Sequence, residues 1–160
     1  MFDNLGKWLN RLKSNTHKFY LEKDFSFNTN IPVGKDYSFG DGEGNEVMHI
    51  SKEGIITVRK GFKWDGCSPK IRIGDIGYIG TPDGTLHYFE EQKTWKPKCY
   101  YGTCIHDPCY KFKVPYSREQ VDKFMLILFM RAGFSQAELY HSVVRKSGHL
   151  FWKNKELNEK

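Results

Sequence analysis

The chain has 160 residues, 39% of them hydrophobic and 16% aromatic, with a formal net charge of +6 and a pI near 9.1. That length suits one domain able to bury its own core, and the apolar fraction excludes a chain disordered throughout. The positive charge either serves solubility or favours an anionic partner through long-range attraction, but lysines are spread over both halves without a run of like charge or a nucleic-acid-binding motif, which disfavours nucleic acid. No segment approaches the roughly 18 apolar residues of a membrane span, and the first residues lack the apolar core of a signal peptide, so the expected setting is cytosol. Cys67, Cys99, Cys104 and Cys109 permit three disulfide pairings, with reduced thiols the default where no signal peptide is read.

Residues 1–20 form the first predicted element. Phe2, Leu5, Trp8, Leu9 and Leu12 fall on one helical stripe with Lys7, Arg11 and Lys13 elsewhere, which describes a basic amphipathic helix. Its stripe packs either on the domain's own core or on an anionic membrane surface or partner protein.

Residues 21–152 read as a single α+β domain. From Asp24 to Gly61 short extended runs alternate with glycine-rich turns, and Glu46–Ile50 and Ile55–Arg59, joined by Ser51–Gly54, make the best hairpin. The second strand leads into residues 61–69, Gly-Phe-Lys-Trp-Asp-Gly-Cys-Ser-Pro, a turn that would bring the Asp65 carboxylate and free backbone carbonyls to a neighbouring site. Residues 70–98 read as an elaborated loop or hairpin with a strand at Leu86–Phe89.

A helical half follows. The first helix should run from near Cys99 to Phe112 and stop before Pro115. Ser117 with Gln120 is a capping box for a second helix carrying Val121, Phe124, Met125, Leu128 and Phe129 and ending at Gly133; Ser135 with Glu138 repeats the box for a third helix ending near Gly148. A charged tail occupies 153–160. The fold class is therefore α+β, a β-rich N-terminal half of hairpins packed on a C-terminal three-helix unit.

Chemistry concentrates in Tyr100–Phe112, where His106 and Asp107 sit between cysteines. Adjacent helical side chains diverge by about 100°, so these two cannot simply bond each other and each needs its own partner. Asp107 would face calcium or another cation, and His106 a carboxylate that holds its tautomer. Asp122, on a stripe with Met125, Leu126 and Phe129, is the candidate carboxylate; the competing reading is that it complements the positive end of its helix. Calcium favours carboxylates plus backbone carbonyls from a kinked loop, which Asp65, Gly66 and Asp107 would supply together. Zinc is disfavoured, because Cys104 and Cys109 lie five apart and no Cys-x-x-Cys knuckle exists. A Cys-His nucleophile pair has no supporting motif. His17, His49, His87, His141 and His149 read as surface or packed residues.

The order Gly61-Phe-x-x-Asp65-Gly66-x-Ser68, His106-Asp107-x-x-Tyr110, Ser117-Arg118-x-x-x-Asp122 and Tyr140-His-Ser-Val-Val-Arg-Lys-Ser-Gly148 resembles a small domain family of uncharacterised function from tailed phages and prophages, over roughly residues 55–150. It implies a phage-linked origin, in host cytoplasm during infection or on the virion, and no activity. The same order is similar to the secreted phospholipase A2 families of bacteria and fungi. That resemblance implies a helical core of that type, with Asp65 and Cys67 in a calcium loop supported by Ser68, His106 as general base, Asp107 as the second calcium carboxylate, Tyr110 as the matching tyrosine and Asp122 as the dyad partner. Cys104 stands two residues before His106 where that family has three, and the loop-to-helix gap is longer here; both argue against carrying over a Cys67–Cys104 bridge.

The leading expectation is a phage-encoded, calcium-assisted hydrolase of a lipid or envelope ester. The alternative is a non-enzymatic phage accessory or virion protein that binds a phage or host partner. A third reading, a metal phosphohydrolase built on His87, His106, Asp107 and Asp122, requires an all-helical scaffold.

Overall fold

The computed structural model describes residues 19–66, 71–73, 77–79 and 86–153. Nearly all of the expected N-terminal helix, Cys67, Ser68 and all but the first residue of the tail lie outside the described residues.

Among the described residues ten strands precede three α-helices: β1 Phe19–Tyr20, β2 Phe25–Asn28, β3 Tyr37–Gly40, β4 Glu46–Ile50, β5 Ile55–Val58, β6 Lys63–Trp64, β7 Ile71–Ile73, β8 Gly77–Ile79, β9 Leu86–Phe89 and β10 Thr94–Pro97, then α1 Tyr100–Lys111, α2 Arg118–Arg131 and α3 Ala137–Ser147. The chain is α+β, with strands in its N-terminal part and helices in its C-terminal part, as expected. This overturns the phosphohydrolase reading, which needs helices throughout and instead finds His87 on β9.

A four-stranded antiparallel sheet in the order β2-β5-β4-β3 carries the β core. Alternation dictates its two faces: Phe25, Phe27, Met48, Ile50, Ile56 and Val58 are all buried, while Ser26, Asn28 and Ile55 are exposed. The expected hairpin is β4–β5, closed by a turn in which Gly54 N–H donates to the Ser51 carbonyl at 2.9 Å. Gly54 has φ +90°, and a Cβ there would lie 2.2 Å from the Ile31 carbonyl oxygen, so only glycine fits. Between 70 and 98 the described residues form two antiparallel strand pairs, β7–β8 and β9–β10.

The sheet's apolar face packs on the helices through Phe25 against Tyr101, ring centroids 4.3 Å apart, and Phe27 against Phe124, 5.7 Å apart. Burying each such side chain contributes about 1.5–3 kcal/mol. The short 112–117 connection makes α1 and α2 antiparallel neighbours, with Gly102 facing Phe129 and His106 facing Asp122. A Cβ on Gly102 would meet the Phe129 ring at 2.5 Å, so this glycine sets how closely the two helices approach.

The Ser117 capping box forms in full: Ser117 Oγ accepts from Gln120 N–H at 3.1 Å, and Gln120 Oε1 accepts from Ser117 N–H at 2.9 Å. Gly133, at φ +69°, ends α2 in a Schellman motif. Phe134 N–H donates to Phe129 O and Gly133 N–H to Met130 O, both at 3.0 Å, while the Phe129 and Phe134 rings meet at 5.1 Å. The second box, at Ser135, does not form. Once Phe134 is drawn into the core, its carbonyl accepts from Ala137 N–H at 3.1 Å, and that turn moves the helix start past Ser135. Gln136 takes the N-cap position with no side-chain bond. Among the described residues no helix is long and apolar enough to cross a membrane.

Candidate functional site

His106 enters the site from the middle of α1, and Asp122 from the second turn of α2. His106 Nε2 lies 2.9 Å from Asp122 Oδ1. Asp122 is fully buried and His106 is 8% exposed. Tyr110, one turn beyond His106 on α1, donates its hydroxyl to the same Oδ1 at 2.5 Å, and its ring lies 4.1 Å from the imidazole.

The other carboxylate oxygen belongs to arginines. Arg145 Nη1, from α3, donates to Asp122 Oδ2 at 2.7 Å, and Arg118 Nη1 stands 3.5 Å from it. Arg118 also donates to the carbonyls of Val144 and Arg145, each at 3.1 Å, in the last turn of α3, where Val144 O accepts the Gly148 N–H as well. Burial alone would raise the Asp122 carboxyl, but the bonds from His106, Tyr110 and Arg145 outweigh it and hold the group below the usual carboxylate range. Burial, with the Asp122 charge added, pushes the Tyr110 phenol far up, so it stays a neutral donor.

Asp122 is thus an ionised acceptor, and Nε2 must carry the proton of the His106 bond. His106 Nδ1 is then the imidazole's free lone pair, with no hydrogen-bond partner among the described residues. His141, one helical turn before Arg145 on α3, adds a half-buried imidazole whose titration burial pulls down while the Asp122 charge raises it.

Asp107 points away from this cluster, as the divergence of neighbouring helical side chains requires. Its Oδ2 is buried and accepts no well-aligned hydrogen bond, although Lys111 Nζ, one turn on, forms an ion pair with it at 2.9 Å. The same face of α1 receives the strand leading to Asp65. Trp64 Nε1 donates to Thr103 Oγ1 at 2.9 Å, and Lys111 Nζ lies 5.8 Å above the Phe62 ring. Thr103, Asp107 and Lys111 are spaced by four, so the segment from Phe62 to Trp64 runs beside the row that includes Asp107. Asp65 is exposed and Gly66 buried just beyond it.

A carboxylate oxygen that faces the half-exposed Lys111 ammonium beside an incoming turn is chemistry that suits a hard cation. Among the described residues no group of three or more His, Cys, Asp or Glu side chains is placed to hold a metal ion. Cys99, Cys104 and Cys109 are buried thiols, and burial holds Cys104 and Cys109 far above the ordinary thiol range, where they are poor nucleophiles.

His106, Asp122 and Tyr110 therefore come together, and Asp107 lies on a separate face with Lys111. The sequence reading assigned no role to Arg118, Arg145, His141 or Lys111. The i, i+4 spacings Arg118–Asp122, His141–Arg145 and Asp107–Lys111 were the available signal. No protein-family model, no curated protein and no solved structure matches the chain.

Proposed function

We propose that the chain hydrolyses an ester of a lipid or envelope component, by a phospholipase A2-like mechanism in which His106 is the general base. The carrying observation is the buried 2.9 Å bond from His106 Nε2 to Asp122 Oδ1. An acceptor-only Asp122 fixes the Nε2–H tautomer and leaves Nδ1 to take a proton. A water at Nδ1 gives up its proton as its oxygen attacks the ester carbonyl, and Asp122 stabilises the imidazolium so formed. The proton then passes to the leaving alcohol as the tetrahedral intermediate collapses. Tyr110 and Arg145 keep the Asp122 carboxylate in place through this cycle.

Asp107 Oδ2, with the Asp65 carboxylate and backbone carbonyls from the Asp65–Gly66 turn, would hold calcium, with Lys111 giving way. The calcium, when bound, supplies positive charge for the developing oxyanion. The basic net charge and the amphipathic pattern of residues 2–13 support an anionic surface as the place of action.

The test is fatty-acid release from mixed anionic and zwitterionic phospholipid vesicles, with calcium and with chelator, by wild type, His106→Ala and Asp107→Asn. Calcium-dependent release that both substitutions abolish is the expected result. Absence of release under every metal tried, with all three proteins folded, overturns it.

A second reading has its own observation. The Asp122 carboxylate is already matched by two guanidinium groups and Asp107 by Lys111, so the cluster is electrostatically complete and ties three helices together. On that reading the chain is a non-enzymatic phage accessory or virion protein, inactive on esters and acting by binding a phage or host protein.

A further inference from the structure

Two adjoining cavities, of about 590 and 710 Å³, run along the outer side of β2 and share Phe25, Ser26, Glu91, Gln92 and Tyr101. They form one groove. One wall is β2 itself, an edge strand of the four-stranded sheet. The opposite wall is β9 and the turn that follows it. The floor is aromatic: Tyr101 lies 4.3 Å from Phe25 and 4.7 Å from Phe89, measured between ring centroids, and Leu128 extends it.

The ladder fixes which backbone groups of β2 face this groove. Thr29 N–H donates to Gly54 O at 3.0 Å, in register with the pairs Phe27↔Ile56 and Phe25↔Val58. Those three residues therefore turn their N–H and C=O toward β5, and the alternate residues Ser26 and Asn28 turn theirs outward. The other side of β5 agrees. Arg59 N–H donates to Val47 O and Ser51 N–H to Ile55 O, which commits the odd-numbered residues of β5 to β4 and leaves the even-numbered ones for β2. The outward amides of Ser26 and Asn28 have no backbone partner among the described residues. The Ser26 and Asn28 side chains are engaged elsewhere, with Thr57 Oγ1 at 2.8 Å and Asn30 N–H at 2.9 Å.

We infer that this groove binds an extended peptide of a partner protein, which adds a strand to β2. The chemistry of the occupant follows from the walls. Its backbone pairs with Ser26 and Asn28; alternate side chains descend onto Phe89, Tyr101 and Leu128 and are apolar; the intervening ones face water. Glu90 and Glu91 form no ion pair among the described residues and lie on the hairpin wall, while Arg131, set 5.7 Å over the Phe27 ring, stands at the Asn28 end. The preferred peptide thus carries a basic residue opposite Glu90 and Glu91 and an acidic group toward Arg131. An exposed edge flanked by an aromatic trough would otherwise invite unselective pairing, and these charges supply the selectivity. The inference does not rest on ester hydrolysis.

The probe is a library of random heptapeptides displayed on a carrier and selected on the full chain, with the enriched peptides then synthesised. Enriched sequences are expected to alternate apolar and polar residues. N-methylation of the peptide at alternate positions should weaken binding at least tenfold, and at the intervening positions hardly at all. Ser26→Pro removes an outward N–H, a change that edge strands tolerate, along with the exposed hydroxyl bond to Thr57, and should weaken binding similarly; the N-methyl pattern on wild-type protein keeps the test valid if that variant folds poorly. No enrichment, binding indifferent to the N-methyl position, or a wild-type dimer in sedimentation that Ser26→Pro dissolves would each overturn the inference, the last by assigning the edge to a second copy of this chain.

Discussion

Asp122 divides its two carboxylate oxygens between two helices: Oδ1 takes His106 of α1 at 2.9 Å and Oδ2 takes Arg145 of α3 at 2.7 Å. It thereby joins α1, α2 and α3 at one buried point. Asp122→Asn keeps the shape but removes the charge, leaving Arg118 and Arg145 without their counter-ion. Breaking a buried pair from one side costs about 3–5 kcal/mol, so the urea midpoint should fall by an amount corresponding to at least the lower figure. His106→Gln retains a hydrogen-bonding side chain opposite Oδ1 and should cost much less. If the two substitutions prove equally mild, Asp122 is not the tie between the helices.

The same carboxylate sets a pH dependence. Its folded-state titration lies below the ordinary 3.8, because the bonds it accepts outweigh its burial. A depressed carboxyl contributes stability that is fully present above its unfolded value and lost as pH falls through the folded one. The stability gap between wild type and Asp122→Asn should therefore be present at pH 5 and shrink steadily below about pH 4. Denaturant titrations at pH 5, 4 and 3 measure it, and a gap that widens on acidification would contradict this assignment.

The two serine caps separate what local sequence can and cannot disclose. Ser117→Ala should lower stability by about 1 kcal/mol, whereas Ser135→Ala should change it by little, since α3 begins past Ser135 and its side chain caps nothing. Both carried the same four-residue signature. The difference arises from Phe134, which packs on Phe129 and commits the chain to a turn before a box at Ser135 can close. A capping box depends on neighbouring residues, but whether it forms was decided by a tertiary contact. The β4–β5 hairpin and the extents of α1 and α2 were legible because period-2 alternation, Gly54, Pro115 and Gly133 act locally. The His106–Asp122 pair was legible too, since a lone carboxylate on an apolar stripe demands a partner. Arg145 was not, because its position over Asp122 depends on how α3 is laid across α2.

Gly148 sets a further packing limit. A Cβ there would lie 2.6 Å from the Tyr110 hydroxyl oxygen and 3.0 Å from Arg118 Nη1. Gly148→Ala must move one or both, at a cost of about 1–3 kcal/mol for overpacking. Because both groups contact Asp122, the substitution should also reduce the proposed ester hydrolysis, through displaced partners of the Asp122 carboxylate. Denaturation and vesicle assays on one preparation check both effects.

Lys111 offers the sharpest test of the cation reading. Its ammonium stands 2.9 Å from Asp107 Oδ2, the oxygen to which calcium would bind, so lysine and calcium compete for one carboxylate. Lys111→Gln removes the competing charge and keeps the side-chain length close. It should lower the calcium concentration for half-saturation several-fold in titration calorimetry, while Asp107→Asn should abolish binding. Calcium affinity unchanged in Lys111→Gln would mean that Asp107 does not hold the ion. Tighter binding without faster ester hydrolysis would mean that calcium serves the structure of the Asp65–Gly66 turn rather than the reaction.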